Sequence, residues 1–157
     1  MKRFPVIAVL LLPLLFLAAA GRGPLEFAAL DGGVSDFAGT DADSPLILHF
    51  WATWCPSCAE EMQVLEIEAA ACAPGRVTVV AVNVDEDVET VRRYWKKHDL
   101  KLTVVRDAGG DEWRRLGGTA LPFNWIKHPK GSRTLTGPRD ASAWRAVLAE
   151  LGCERTG

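Results

Sequence analysis

Residues 49–58 read HFWATWCPSC, and the reading of Cys55 and Cys58 in that stretch decides the fold. The run Leu46 to Trp51 before it is short and apolar, follows Pro45, and reads as a buried strand. From Pro56 onwards the pattern turns helical, with Met62, Leu65, Ala69 and Cys72 recurring at spacings of three and four. Cys55 therefore sits where a strand hands over to a helix. The free N–H groups and positive dipole end of a helix start favour a thiolate, the form that attacks disulfides. Cys58 lies one helical turn on, within reach to resolve a mixed disulfide. Pro56 suits a first helical turn, having no N–H to satisfy. Trp54 and Pro56 beside the pair are candidate client contacts, and Trp51 can shield it.

Two other readings of the pair lose on spacing. Structural zinc needs a second ligand pair, but Cys72 and Cys153 form no second C-x-x-C and His98 and His128 no H-x₃₋₅-H. A purely structural bridge between Cys55 and Cys58 would close a tiny loop and remove little chain entropy.

Outward from this stretch, Val77 to Val84 is β-branched and almost wholly apolar, as expected of a strand covered on both faces and parallel to Leu46–Trp51. Glu60 and Glu61 are expected in the first turn of the CPSC helix, beside its positive dipole end. A helix is expected from Asp87 to His98, with Val88, Val91, Trp95 and His98 as its inward stripe. A strand is expected over Leu102 to Val105 and a short helix over Asp111 to Leu116. Leu121 to Ile126 and Ser132 to Leu135 flank HPKG as a hairpin. Trp144, Val147, Leu148 and Leu151 mark a last helix. This order predicts a single α/β domain with a mixed central sheet and helices on both faces. Residues 22–45 are read as mixed, with Asp31-Gly32-Gly33 as a turn.

The chain has 157 residues, and its 18 basic and 20 acidic side chains give no basic footprint for nucleic acid. Its first residues, MKRFPVIAVLLLPLLFLAAAGRG, place Lys2 and Arg3 ahead of an apolar run that ends in Ala18-Ala19-Ala20. That is the pattern of a secretory signal, or of a retained N-terminal membrane anchor. Either way, residues 1–20 are expected to direct export and residues 21–157 to form the domain. Export puts the four cysteines where disulfides form and persist.

WATWCPSC followed by AEEMQVL resembles the active-site segment of thioredoxin-fold thiol–disulfide oxidoreductases, above all the exported TlpA/ResA type. FAALDGGVSDFAG and VVAVNVDED resemble that type's N-terminal extension and second strand. The resemblance implies a thioredoxin-like fold and a protein-disulfide oxidoreductase whose redox group is the Cys55–Cys58 disulfide, with no further cofactor and no metal. It implies a cis-proline facing the pair, which by position is Pro122, with Leu121 and Phe123 as substrate contacts. Those two, with Trp125, are bulkier than the family's usual residues there. It implies a glutamate after the second strand as proton acceptor near Cys58, matched by Glu86; the other reading of Glu86 is a solvated loop acid. His49 departs from the family, which has Asp or Asn at that position. It is either a proton relay or a core histidine bonded to its surroundings. In a thioredoxin fold the first and last helices here share a sheet face, so Cys72 and Cys153 are either a second, structural disulfide or two separate thiols.

The expected function is an exported oxidoreductase in the periplasm or on the outer face of the cytoplasmic membrane. It reduces a disulfide-containing client, such as an apocytochrome c or a metallochaperone, and is itself re-reduced by a membrane thiol donor. The alternatives are a copper-binding chaperone, since soft thiolates select Cu(I), and a thiol peroxidase. The usual T-x-x-C of the latter is replaced here by Thr53 in T-x-C.

Overall fold

The computed structural model describes residues 24–36 and 44–154. Residues 1–20, the expected leader or anchor, lie outside the described residues. Among the described residues no helix is long and apolar enough to cross a membrane.

The elements run β1 (Glu26–Ala29), β2 (Val34–Asp36), β3 (Leu46–Trp51), α1 (Pro56–Ala70), β4 (Thr78–Val84), α2 (Val88–His98), β5 (Thr103–Asp107), α3 (Asp111–Arg115), β6 (Phe123–His128), β7 (Gly131–Thr136) and α4 (Ala141–Glu150). The seven strands form one sheet in the order β2-β1-β5-β4-β3-β6-β7. β3, β4 and β5 are parallel, and the other pairings are antiparallel. The expected mixed sheet is therefore found, with β3 and β4 at its centre. All six residues of β3 are buried. Its five apolar side chains each contribute roughly 1.5–3 kcal/mol of burial.

Alternation along β3 separates two cores. Ile47, His49 and Trp51 face one side of the sheet, where they meet α1, α2 and α4 through Leu65, Met62, Val91 and Trp144. Leu46, Leu48 and Phe50 face the other side, against Phe27, Val105, Phe123 and the partly buried Trp113 and Leu116 around α3. Two successive right-handed crossovers in one direction, β3-α1-β4 and β4-α2-β5, place α1 and α2 on the same face.

Several expectations change in detail. The strand expected over Leu102 to Val105 lies at Thr103–Asp107. The inward face of α2 is built from Val91, Tyr94 and Trp95, with Tyr94 and Trp95 against Trp51. His98 is exposed and stacks on Tyr94. Residues read as mixed contain a hairpin, β1-β2, whose β1 pairs with β5 over only two residues. Such short strands carry too little periodicity to be read from sequence. Asp87 caps α2 by accepting from Thr90 N, and Asp140 caps α4 by accepting from Ala143 N.

Candidate active site

The start of α1 positions the two sulfurs. Cys55 is the N-cap residue, its extended backbone (φ −103°) ends the loop after β3, and Pro56 opens the helix. The pair is a disulfide with Cα atoms 5.3 Å apart. Cys55 is 6% exposed and Cys58 fully buried, so Cys55 is the sulfur a partner can reach. Ser57 Oγ lies 3.7 Å from Cys55 Sγ. Trp54, 70% exposed, and the exposed Pro56 flank the pair as an apolar rim.

Glu86 holds the loop that leads into Cys55. Its carboxylate accepts from Thr53 N (2.7 Å), Thr53 Oγ1 (2.5 Å) and Asn83 Nδ2 (2.6 Å). Asn83 is fully buried at the end of β4. This side chain, expected as a proton acceptor near Cys58 or as a solvated loop acid, ties the Ala52-Thr53-Trp54 turn to β4, and each of its carboxylate oxygens has a donor.

Beneath the pair, His49 is fully buried on the face of β3 that carries α1. Its Nδ1 lies 2.9 Å from Asn124 Oδ1, and Asn124 Nδ2 donates to Glu61 Oε1 at 2.8 Å. Arg139 N donates to Glu61 Oε2 at 3.1 Å. Since Asn124 gives its amide hydrogens to the carboxylate, its carbonyl accepts the His49 Nδ1 hydrogen, and this network assigns the tautomer. Nε2 is buried with no hydrogen-bond partner. Burial pushes the His49 pKa down to about 4, against the weaker opposing effects of Asn124 and the Cys58 backbone. Burial likewise raises Glu61 above the usual carboxylate range, although Asn124 and Arg139 resist it.

The first-turn expectation for the α1 acids is corrected here: α1 has no acidic residue in its first turn, and Glu61 points inward. Its signal was present, since 58, 61, 65, 68 and 72 fall on one helical stripe, which puts a carboxylate on the buried face. Asn124 was missed because a single polar residue in a strand does not announce its partner. Glu61 also borders an open groove of about 450 Å³ lined by Ser57, Glu60, Val64, Pro138, Arg139 and Asp140.

The Leu121–Pro122 peptide is cis. Leu121 packs against the cluster that contains Cys55 and Cys58, which brings this loop to the pair. The backbone of Gly118 lies against Trp113, whose ring leaves no room for a side chain: an added Cβ would sit 2.0 Å from its Nε1. That contact anchors the approach to Leu121. Phe123 is placed differently from the expectation. It is 1% exposed and packs with Phe50 on the far side of the sheet, so it supports the loop from within rather than touching a client. Further away, Cys72 and Cys153 form a disulfide joining the C-terminal ends of α1 and α4.

A sulfur pair at a helix start, one member reachable and the other enclosed, can exchange disulfides with a partner. The relatives fit this chemistry. Thiol-disulfide oxidoreductase ResA of Bacillus thuringiensis is 31% identical over 81 residues, covering 52% of this chain and 47% of that protein. Sporulation thiol-disulfide oxidoreductase A of Bacillus subtilis is 28% identical over 100 residues, covering 60% of this chain and 61% of that protein. The chain thus spans about half to three-fifths of the length of these curated relatives. A solved structure of a secreted Mycobacterium tuberculosis disulfide oxidoreductase, homologous to E. coli DsbE, superposes with a TM-score of 0.68 at 28% identity, over 82% of this chain and 95% of that one. The Redoxin family model matches residues 20–124, a span that runs from before β1 through the CPSC helix and the cis-proline loop into β6, and on that match the chain belongs to the Redoxin family.

Proposed function

We propose that this protein is an exported thiol–disulfide oxidoreductase that reduces protein disulfides through the Cys55–Cys58 dithiol. The observation that carries the reading is the asymmetry of the pair: Cys55 at the N-cap of α1 and reachable, Cys58 fully buried behind it. In the reduced protein the Cys55 thiolate attacks one sulfur of a client disulfide. The client's other sulfur leaves with the electron pair, and a mixed disulfide forms. Cys58 then attacks Cys55 Sγ, the second client sulfur leaves as thiolate, and the protein is left with the Cys55–Cys58 bond. Two electrons have passed to the client, so a thiol donor must return them. A membrane thiol protein on the outer face of the cytoplasmic membrane suits an exported chain. Trp54 and Leu121 supply apolar contact for an extended client, and the cis-proline loop offers its backbone.

Reduction is the favoured direction because the resemblance is to the ResA type. Clients of the expected kind are the paired cysteines of an apocytochrome c or a metallochaperone in the periplasm. The relatives, which carry the name thiol-disulfide oxidoreductase, do not favour the copper-chaperone reading.

The test is the reduction potential of the pair, by equilibration in defined thiol buffers with alkylation read by mass. A value near about −270 mV supports a reductant, and one near about −120 mV overturns the direction. Cys58→Ser should trap a mixed disulfide with a client through Cys55, and failure to form any such adduct would sink the exchange reaction itself.

A further inference from the structure

The loop that delivers Leu121 is held from behind by one tryptophan. α3 ends at Arg115, and the chain folds back on it: Gly117 N donates to Arg114 O at 3.0 Å and Gly118 N to Trp113 O at 2.8 Å. Gly117 takes a φ of 91°, in the left-handed region that favours glycine. Gly118 has no such requirement, and its glycine answers to space. It is buried, and a Cβ there would lie 2.0 Å from Trp113 Nε1, 2.2 Å from Cδ1 and 2.6 Å from Cε2. The indole thus rests directly on the Gly118 backbone. Its N–H has no hydrogen-bond partner, so the contact is one of packing.

Trp113 is itself fixed. Its N donates to Asp107 Oδ2 at 2.7 Å, and Asp107 is 3% exposed at the end of β5. Its ring packs on the core that holds Phe27, Phe50 and Phe123. Beyond Gly118, Thr119 and Ala120 are exposed. Leu121 then packs both against that same core and against the cluster that contains Cys55 and Cys58. At the far end of the loop, Gly137 N donates to Pro122 O at 2.9 Å. The exposed stretch is therefore strung between two anchors, and the first exists because residue 118 has no side chain.

We propose that Trp113 is a positioning residue for exchange with polypeptide disulfides: its ring, seated on Gly118, holds the Thr119–Leu121 backbone ready for an extended client. The inference rests on the exchange reaction proposed above. An extended chain gains affinity from main-chain hydrogen bonds to a free backbone segment, with little dependence on its sequence. A segment already held in place costs less to order when the client arrives. A small disulfide reaches Cys55 without that segment. Trp113 thus acts on the choice between polypeptide and small disulfides, and leaves the sulfur chemistry to the cysteines.

The test uses the full chain with the Cys55–Cys58 pair reduced, and two probes. One is an extended peptide whose single cysteine is capped as the thionitrobenzoate mixed disulfide; the other is free cysteine capped the same way. The Cys55 thiolate attacks the cysteine sulfur of either probe, thionitrobenzoate leaves with the electron pair, and its absorbance gives the rate. The leaving group is common to both, so the ratio of the peptide to the cysteine second-order rate constant reports the contacts made by the rest of the peptide. The parent should favour the peptide. Gly118→Ala drives a methyl into the indole, and Trp113→Leu removes the indole while keeping the core apolar. Each should lower the ratio by roughly tenfold, because the loop must then be ordered by the client. In the double variant leucine vacates the space the methyl needs, and its ratio should exceed that of Gly118→Ala by about threefold or more. Equal slowing toward both probes, a double variant no better than Gly118→Ala, or a parent with no preference for the peptide overturns the proposal. A parent that reacts with neither probe refutes the exchange reaction instead. Should Gly118→Ala not fold, Trp113→Leu and Trp113→Phe carry the comparison, and a ratio unchanged in both overturns the proposal.

Discussion

Removing the Cys72–Cys153 bridge should destabilise the protein far more than its distance from the chemistry suggests. The two cysteines are 81 positions apart, and their bond ties the end of α1 to the residues just past α4. Treating the bridge as a constraint on the unfolded chain, a loop of that length corresponds to about 4.5 kcal/mol at 25 °C. The same relation applied to Cys55–Cys58, three positions apart, gives under about 2 kcal/mol. The larger figure is comparable with the total stability of many domains, so the bridge bears directly on whether the fold persists. The perturbation is the double variant Cys72→Ala, Cys153→Ala; alanine is chosen because Cys72 is 7% exposed and a serine hydroxyl there would be buried. Urea unfolding of the oxidised parent and variant should show a loss of roughly 3–4.5 kcal/mol and a midpoint temperature lower by about 10–20 °C. The urea m-value should also rise, because an uncrosslinked denatured chain exposes more surface. A loss below about 1 kcal/mol with an unchanged m-value would refute the entropic argument.

Three other outcomes follow from the geometry. Glu86→Gln removes the charge from three hydrogen bonds and should cost about 1–2 kcal/mol in urea unfolding, while changing the rate at which Cys55 reacts with glutathione disulfide through the loosened Thr53 turn. Trp54→Ala should leave stability within about 0.5 kcal/mol, since the ring is 70% exposed, yet slow reduction of a disulfide-bonded protein more than reduction of glutathione disulfide. Equal slowing of both would count against a client-binding role. His49 is held at a pKa of about 4 against an ordinary 6.5, so between those values the unfolded chain binds more protons. Stability should therefore fall as pH drops through that window, by about 3 kcal/mol in all. Glu61 acts in the opposite sense: its raised pKa favours the fold below the ordinary value of 4.5, and that contribution is lost as pH rises through the folded value. Urea titrations across the window should show a shallower acid decline for His49→Gln than for the parent. An identical decline would place the acid sensitivity elsewhere.

The sheet was legible where burial is two-sided. Leu46–Trp51 and Thr78–Val84 are mostly apolar runs, broken by His49 in the first and by Thr78 and Asn83 in the second, and both emerge as central parallel strands in register from Leu46 opposite Thr78 to Trp51 opposite Asn83. The β1-β2 hairpin was not legible. Its strands are four and three residues long, and its hold on the sheet is a brief pairing with β5. A strand that short is fixed by its tertiary neighbour, Phe27 against Phe50, and not by its own pattern.

The site divides along the same physical line. CPSC could be read because the helix start and the one-turn spacing are local, and local geometry alone brings Cys55 to Cys58. Its polar support could not be read, because each link spans long stretches of chain: Thr53 to Glu86, His49 to Asn124, Asn124 to Glu61. Buried polar groups must find partners, but sequence says only that a partner is needed. Glu61 shows the difference. The helical period already put it on the stripe of Cys58 and Leu65, where a lone carboxylate would be costly. Only β6, returning antiparallel beside β3, supplies the Asn124 amide that makes the position tenable and joins it to His49. The same return strand begins directly after the cis Leu121–Pro122 peptide, whose Leu121 packs against the cluster that holds the sulfur pair, so β6 continues from that loop and also carries Asn124 of the polar chain. Substituting Asn124 should therefore disturb His49 and Glu61 together, and a double-mutant cycle between Asn124→Ala and Glu61→Gln should show coupling of about 1 kcal/mol or more. Additive losses would mean that the chain of contacts is only a set of neighbours.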